Sequence, residues 1–278
     1  MKMIKKILVG VKGDKESNNV LRYAAKLAKI TRSKLTALHV IETLDEYNFY
    51  EDIKLNYKIE AKRDRDRCIQ QIKDVSEEYH LENLDIEIIY GKPAKSILNE
   101  AKRGGFDLII VGSHSRSNFI EFLLGGVAFQ ITHYAKRPVI IVKNLKEIDT
   151  ILVCTDGSDY ARDAIAFMPQ IVSHSKSRVT VLHVAKKGQL KSADSEKIVK
   201  EGSEILKKNG IDTKIIIREG YPPKEILRET RKRNYDLIVM GHKGKSSIRE
   251  FFLGDVVSKV THLSSRPTLV YREKNGKF

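Results

Sequence analysis

DLIVMGHKGKSSIREFFLGDVVSKVTHLSSRPTLVY, residues 236–271, is the stretch from which the rest of the chain can be read. A short apolar run at 237–240 stops at Gly241, and Gly244 and Gly254 complete a G-x2-G-x9-G spacing. The pattern turns helical from Val256, and Arg266-Pro267 ends it before a second apolar run at 268–271. Strand, glycine loop, helix, strand is the order of a phosphate-binding crossover. The same order occurs earlier as DLIIVGSHSRSNFIEFLLGGVAFQITHYAKRPVIIV, residues 107–142. Gly112, Gly125 and Pro138 each lie 129 positions before Gly241, Gly254 and Pro267. Ser117, Glu121, Phe122, Thr132, His133 and Arg137 recur identically at that offset. The chain is an internal duplication.

Working outward, each half reads as five short apolar strands alternating with amphipathic helices. IKKILVGV (4–11) and ILVCTDGS (151–158) open the halves, and LTALHVI (35–41) and VTVLHVA (179–185) follow a helix in each. Those first helices are predicted over 17–30, with Ser17 as N-cap, and over 160–172. Third strands are predicted at 85–90 and 213–218, and Pro93 and Pro222-Pro223 suit the first turn of the helices that follow. The pairing offset is 144 from His39 to His183 but 129 from Gly91 to Gly220, so the first half carries 15 extra residues. They fall around 45–67, a charged segment with Tyr47, Phe49, Tyr50 and Tyr57, and read as a lengthened helix. Loops rich in aromatics also serve as lids or partner surfaces. The expected domains are 1–143 and 149–273. The fold class is α/β, two doubly wound units with helices on both faces of a five-stranded parallel sheet.

The 278 residues fit two domains of ordinary size. No apolar run approaches the roughly 18 residues that span a bilayer, and the N-terminus reads as a strand, not a leader. Cys68 and Cys154 give neither a disulfide framework nor metal spacing, which fits a reducing cytoplasm. The net charge of +15 is spread through helices and interleaved with Glu and Asp. Without a basic block or basic-aromatic motif, nucleic acid is an unfavoured partner.

In an open parallel sheet, ligands bind beyond the carboxyl ends of strands where strand order reverses. In the second half those ends carry Asp156-Gly157-Ser158, His183-Val184 and Gly241-His242-Lys243-Gly244. The glycines let backbone N–H groups approach a phosphate, and the helix after Gly254 points its positive end at the same space. Lys243 and Lys245 add charge, and an acid at the end of the first strand suits ribose hydroxyls. The constellation reads as a nucleotide pocket. It is not a P-loop, because Val239 stands where that motif needs glycine, and no GxGxxG follows either first strand.

With ILVCTDGS, LHV, the G-x2-G-x9-G spacing and RPTLV in view, the chain resembles a tandem universal stress protein over nearly its whole length. The resemblance implies an adenine nucleotide alpha hydrolase-like fold and, in a subset of members, ATP binding. It implies that Asp156 contacts ribose, that Val184 meets adenine, and that Gly241, Gly244, Gly254 and the residue after it hold phosphates. It also implies that the fifth strands, 139–142 and 268–271, pair the halves as an internal pseudo-dimer. A homodimer of chains is a further expectation.

The departures are informative. In the first half Lys12 replaces the acid, Ser115 the second glycine and Gly126 the following Ser or Thr, so this half reads as a degenerate copy. In the second half Asp255 replaces Ser or Thr. It is either an N-cap for its helix or a carboxylate where a phosphate would sit, repelling it by about 4 kcal/mol at an effective dielectric near 20. A shorter nucleotide such as AMP, or a bound Mg, relieves that repulsion. The expected site is therefore Asp156, Gly157, Val184, Gly241, His242, Lys243, Gly244, Gly254, Asp255 and Val256, taking ATP or AMP. His114 and His242 are the histidines placed for ligand contact. His133 and His262 are expected to pack or to cap their helices, and His39 and His183 to sit in the core or at the pocket edge. No residue set reads as a hydrolytic machine. A slow ATPase and a protein-interaction module without nucleotide stay open as alternatives to a stress-signalling nucleotide binder.

Overall fold

The computed structural model describes residues 3–43, 51–113, 124–172, 177–244 and 253–272, with side chains of the second stretch described from residue 56. The first half runs β1 (Lys6–Val11), α1 (Lys15–Thr31), β2 (Lys34–Glu42), α2 (Glu51–Tyr79), β3 (Leu84–Gly91), α3 (Pro93–Arg103), β4 (Leu108–Gly112), α4 (Gly126–Tyr134) and β5 (Val139–Val142). The second runs β6 (Thr150–Cys154), α5 (Asp159–Phe167), α6 (Pro169–Val172), β7 (Arg178–Ala185), α7 (Ala193–Lys207), β8 (Thr213–Glu219), α8 (Pro222–Lys232), β9 (Leu237–Gly241), α9 (Asp255–Leu263) and β10 (Thr268–Tyr271).

The strands lie in the order β3-β2-β1-β4-β5-β10-β9-β6-β7-β8. Neighbours within each half are parallel. The order reverses between β1 and β4, and again between β6 and β9, which places the two switch points. At the centre β5 and β10 are antiparallel, with Leu269 opposite Ile140, so the two five-stranded sheets become one of ten. Both central strands are buried throughout, and this is why VIIV and TLVY carry no polar alternation. Helices α1, α2 and α5–α7 cover one face of the sheet, and α3, α4, α8 and α9 cover the other. Each face has its own apolar cluster, and both clusters cross the boundary between the halves.

The halves are also joined by reciprocal caps. Arg272, just after β10, donates to the carbonyls of His133 (2.7 Å) and Ala135 (3.3 Å) at the end of α4. Lys143, just after β5, reaches the carbonyl of His262 at the end of α9 at 3.5 Å. A cation at a helix C-terminus satisfies orphan carbonyls and the negative end of the dipole. Of the two roles expected for His133 and His262, packing or capping, the capping falls to Arg272 and Lys143. The His133 ring stacks on Phe129 and meets Tyr134 edge-on, and burial together with Arg272 lowers its pKa.

Two local expectations change, and the lengthened helix is found. The N-cap of α1 is Asp14, not Ser17: Asp14 Oδ1 accepts from Ser17 N (2.8 Å) while Ser17 Oγ accepts from Asp14 N (3.1 Å), a reciprocal capping box. The helix expected over 160–172 breaks at Met168 into α5 and α6, because Pro169 has no N–H to continue the ladder. Of the inserted segment, residues 51–67 are helical, and α2 runs 29 residues against 15 in α7. Tyr47, Phe49 and Tyr50 lie outside the described residues. Tyr57 O–H donates to the carbonyl of Glu42 and ties the start of α2 to the end of β2. No helix among the described residues is long and apolar enough to cross a membrane.

Candidate functional site

The second switch point gathers the carboxyl ends of β6 and β9 and the amino ends of α5 and α9. After β6, Gly157 takes φ +73°, a left-handed conformation that suits glycine. This tight turn folds Asp156 back, and its Oδ1 accepts from Ser158 N at 3.0 Å. Ser158 then caps α5 by accepting from Ala161 N at 3.2 Å. His183 on β7 holds the turn from beneath, its Nδ1 2.9 Å from the carbonyl of Thr155. His39 makes the matching contact to Val11 in the first half, at 3.1 Å. These two histidines are buried and keep the strand ends in place.

The three glycines of the loop have different jobs. A Cβ at Gly241 would lie 2.5 Å from the carbonyl oxygen of Tyr160 and 2.9 Å from Ala161 N, so the first turn of α5 packs directly on β9. A Cβ at Gly244 would lie 2.6 Å from Asp156 Oδ2. That closeness brings the acid of one strand and the glycine loop of the other together. Gly254 N donates to the carbonyl of His242 at 2.9 Å, and its own Cβ position is 3.4 Å from Lys243 Cα. The amino end of α9 therefore abuts the backbone of Lys243 and Gly244. Val184, Val256 and Leu253 are partly buried against the same apolar cluster beside this junction.

His242 and Lys243 are buried, not displayed. The His242 ring meets Tyr160 edge-on at 4.5 Å, and Lys243 Nζ stands 6.0 Å from the centre of the same ring. Burial first, then Arg272 and Lys243, lowers the His242 pKa to about 4, so its imidazole is neutral at physiological pH. His242 Nδ1 is buried without a hydrogen-bond partner, an acceptor in the loop.

Asp255 is not the N-cap of α9. Gly254 holds that position with extended backbone and no side-chain cap, and Asp255 is the first helical residue. Its carboxylate pairs with Lys259 Nζ at 2.8 Å and accepts from Tyr221 O–H at 3.3 Å. Lys259 also sits over the Tyr221 ring, 5.4 Å from its centre. The i,i+4 spacing of Asp255 and Lys259 was visible in the sequence. Tyr221 and Tyr160 were not, since both come from elements remote in the chain.

The first half does not reproduce this arrangement. Lys12, at the Asp156 position, faces Asp14 at 3.9 Å. Gly13 lies under α2, where its Cβ would be 3.2 Å from Cys68 Cβ. His114 and Ser115, like Lys245 of the second half, lie outside the described residues. Among the described residues no cluster of His, Cys, Asp or Glu is arranged to hold a metal.

The model of the universal stress protein family matches the chain twice, over residues 3–143 and 147–272. The chain belongs to that family. It is similar to the universal stress protein YxiE of Bacillus subtilis, 28% identical over 44% of this chain and 97% of the relative. A universal stress protein of Mycolicibacterium smegmatis is 22% identical over 96% of this chain and 97% of its own length, so it shares the tandem extent. The crystal structure of a universal stress protein from Archaeoglobus fulgidus superposes with a TM-score of 0.73 at 22% identity, covering 98% of both chains, and shares the fold.

Proposed function

We propose that this universal stress protein binds an adenine nucleotide in its C-terminal half and acts as a nucleotide-responsive signalling protein, not as a catalyst. The observation that carries this is the meeting of Asp156 with Gly244 at the β6/β9 switch point, against the amino end of α9. A carboxylate there accepts from ribose hydroxyls. Gly244 leaves the backbone bare for a phosphate, and the orphan N–H groups of α9 face the same space. Val184 and Val256 supply apolar surface for a base. Family membership supports the assignment.

Asp255 sets the phosphate preference. Its charge is partly met by Lys259, so the site is less hostile to phosphate than an isolated carboxylate would make it. It still presents acceptor oxygens where a polyphosphate seeks donors, which favours AMP over ATP in the absence of a divalent cation. Titration calorimetry with AMP and ATP, on the wild type and Asp156→Ala, tests the assignment. Binding to the wild type, weakened about tenfold or more in the variant, is expected. Equal affinity in both proteins would remove Asp156 from the site.

A further inference from the structure

At the opposite edge of the sheet from the glycine loop, the amino ends of β6, β7 and β8 frame a cleft of ≈ 850 Å3. Ligand pockets run about 300–1,000 Å3. Its apolar lining wraps the strand ends, with Val172, Val179 and Ile211 from the cluster on one face of the sheet and Tyr235 from the cluster on the other, all buried. Its charged lining is Arg178, Lys214 and Arg233 against Asp212.

The internal duplication provides a reference for this cleft. Arg178 and Lys214 correspond to Lys34 and Asp85 of the first half, at offsets of 144 and 129. There, Lys34 Nζ meets Asp85 Oδ2 at 2.7 Å across β2 and β3. In the second half that cation–anion pair has become two cations on the same diagonal between β7 and β8. Arg233 adds a third where the first half has Gly104. Over the whole lining, the corresponding first-half positions carry Lys6, Lys34, Glu82 and Asp85, whose formal charges cancel. Neither the Arg178 guanidinium nor the Lys214 ammonium has a partner among the described residues. Arg233 shares the buried Glu229 carboxylate with Arg218, at 3.0 and 2.5 Å, so one anion serves two guanidinium groups.

Like charges on neighbouring strands destabilise a sheet, and an oxyanion between them reverses the sign of that interaction. We propose that this cleft binds an organic oxyanion, a carboxylate or phosphate carried on an apolar body. The head lies between Arg178 and Lys214, where a guanidinium fork matches either head group. The body rests on Tyr235, on the sheet face that Arg178 and Lys214 share, with Val179 and Ile211 behind the strand ends. This site is independent of the nucleotide assignment.

The test is a titration of 15N-labelled protein with phenyl phosphate and with benzoate, followed by amide chemical shifts. Inorganic phosphate and benzyl alcohol test the head and the body separately. Saturable shifts at Gly210, Thr213 and Asn234 are expected, with either aromatic anion binding about tenfold or more tightly than the separate parts. Lys214→Asp, which restores the first half's pairing, should weaken binding at least as much and raise the melting temperature without ligand. Preference for one aromatic anion identifies the head group. Shifts confined to Gly241, Gly244 and Gly254, no saturation at millimolar ligand, or unchanged affinity in Lys214→Asp would each overturn the proposal.

Discussion

Two neighbouring glycines should fail in different ways when each is given a methyl group. At Gly241 the added Cβ meets backbone, 2.5 Å from the Tyr160 oxygen and 2.6 Å from its carbonyl carbon. Backbone in the first turn of a capped helix cannot rotate aside, so α5 must shift from β9 and disturb the Ser158 cap. Overpacking of that kind costs about 2–3 kcal/mol, a fall in melting temperature of roughly 3–5 °C for a chain of this size. At Gly244 the added Cβ meets only Asp156 Oδ2, 2.6 Å away at the end of a side chain that can turn. Gly244→Ala should therefore cost less than about 1 kcal/mol, while displacing the carboxylate from its bond to Ser158 N. Urea unfolding and nucleotide titration on both variants separate the two effects. Gly241→Ala should lose stability and keep affinity in the folded fraction; Gly244→Ala should keep stability and lose about tenfold in affinity. Equal destabilisation by the two, or a Gly241→Ala protein as stable as the wild type, would refute the assignment of packing to one glycine and ligand approach to the other.

Other outcomes follow from the same geometry. Glu229→Gln removes a fully buried carboxylate from between Arg218 and Arg233. It should cost about 2 kcal/mol in urea unfolding, at the low end for a buried pair because both arginines reach solvent. His242 has a folded pKa of about 4, below the ordinary histidine value of 6.5. The unfolded chain therefore takes the proton first as pH falls. The stability tied to its neutral form is present above about pH 6.5 and lost progressively toward about pH 4, by up to about 3 kcal/mol; His242→Gln should flatten that part of the stability profile. Asp255→Ser and Asp255→Asn should each raise ATP affinity relative to AMP by several-fold in calorimetry. A gain in the serine variant alone would point to a hydroxyl ligand, not to relief of charge.

The fold was legible because the chain states it twice. The shared offset of Gly112, Gly125 and Pro138 fixed the repeat, and five apolar runs per half fixed the parallel strands. The glycine loop could be placed at a strand end from spacing alone. What escaped was set by tertiary partners. Ser17 and Asp14 both suit an N-cap, and only the reciprocal bonds distinguish them. Asp255 could be read as a cap or as a site carboxylate, and the cap reading fails because its carboxylate is held by Lys259 and by Tyr221 from the turn before α8. The capping of α4 by Arg272 joins residues 139 positions apart and leaves no local pattern. The exchange of Asp85 for Lys214 was present in the sequence, yet its meaning depends on the register that sets each beside Lys34 or Arg178.

The most direct test of nucleotide binding is mass spectrometry of the small molecules released when the purified chain is denatured, read together with titrations of AMP and ATP. An adenine nucleotide at up to one equivalent per chain, absent from Asp156→Ala, is the expected result. No nucleotide released, and no binding of either ligand up to millimolar concentration, would contradict a nucleotide site in the C-terminal half.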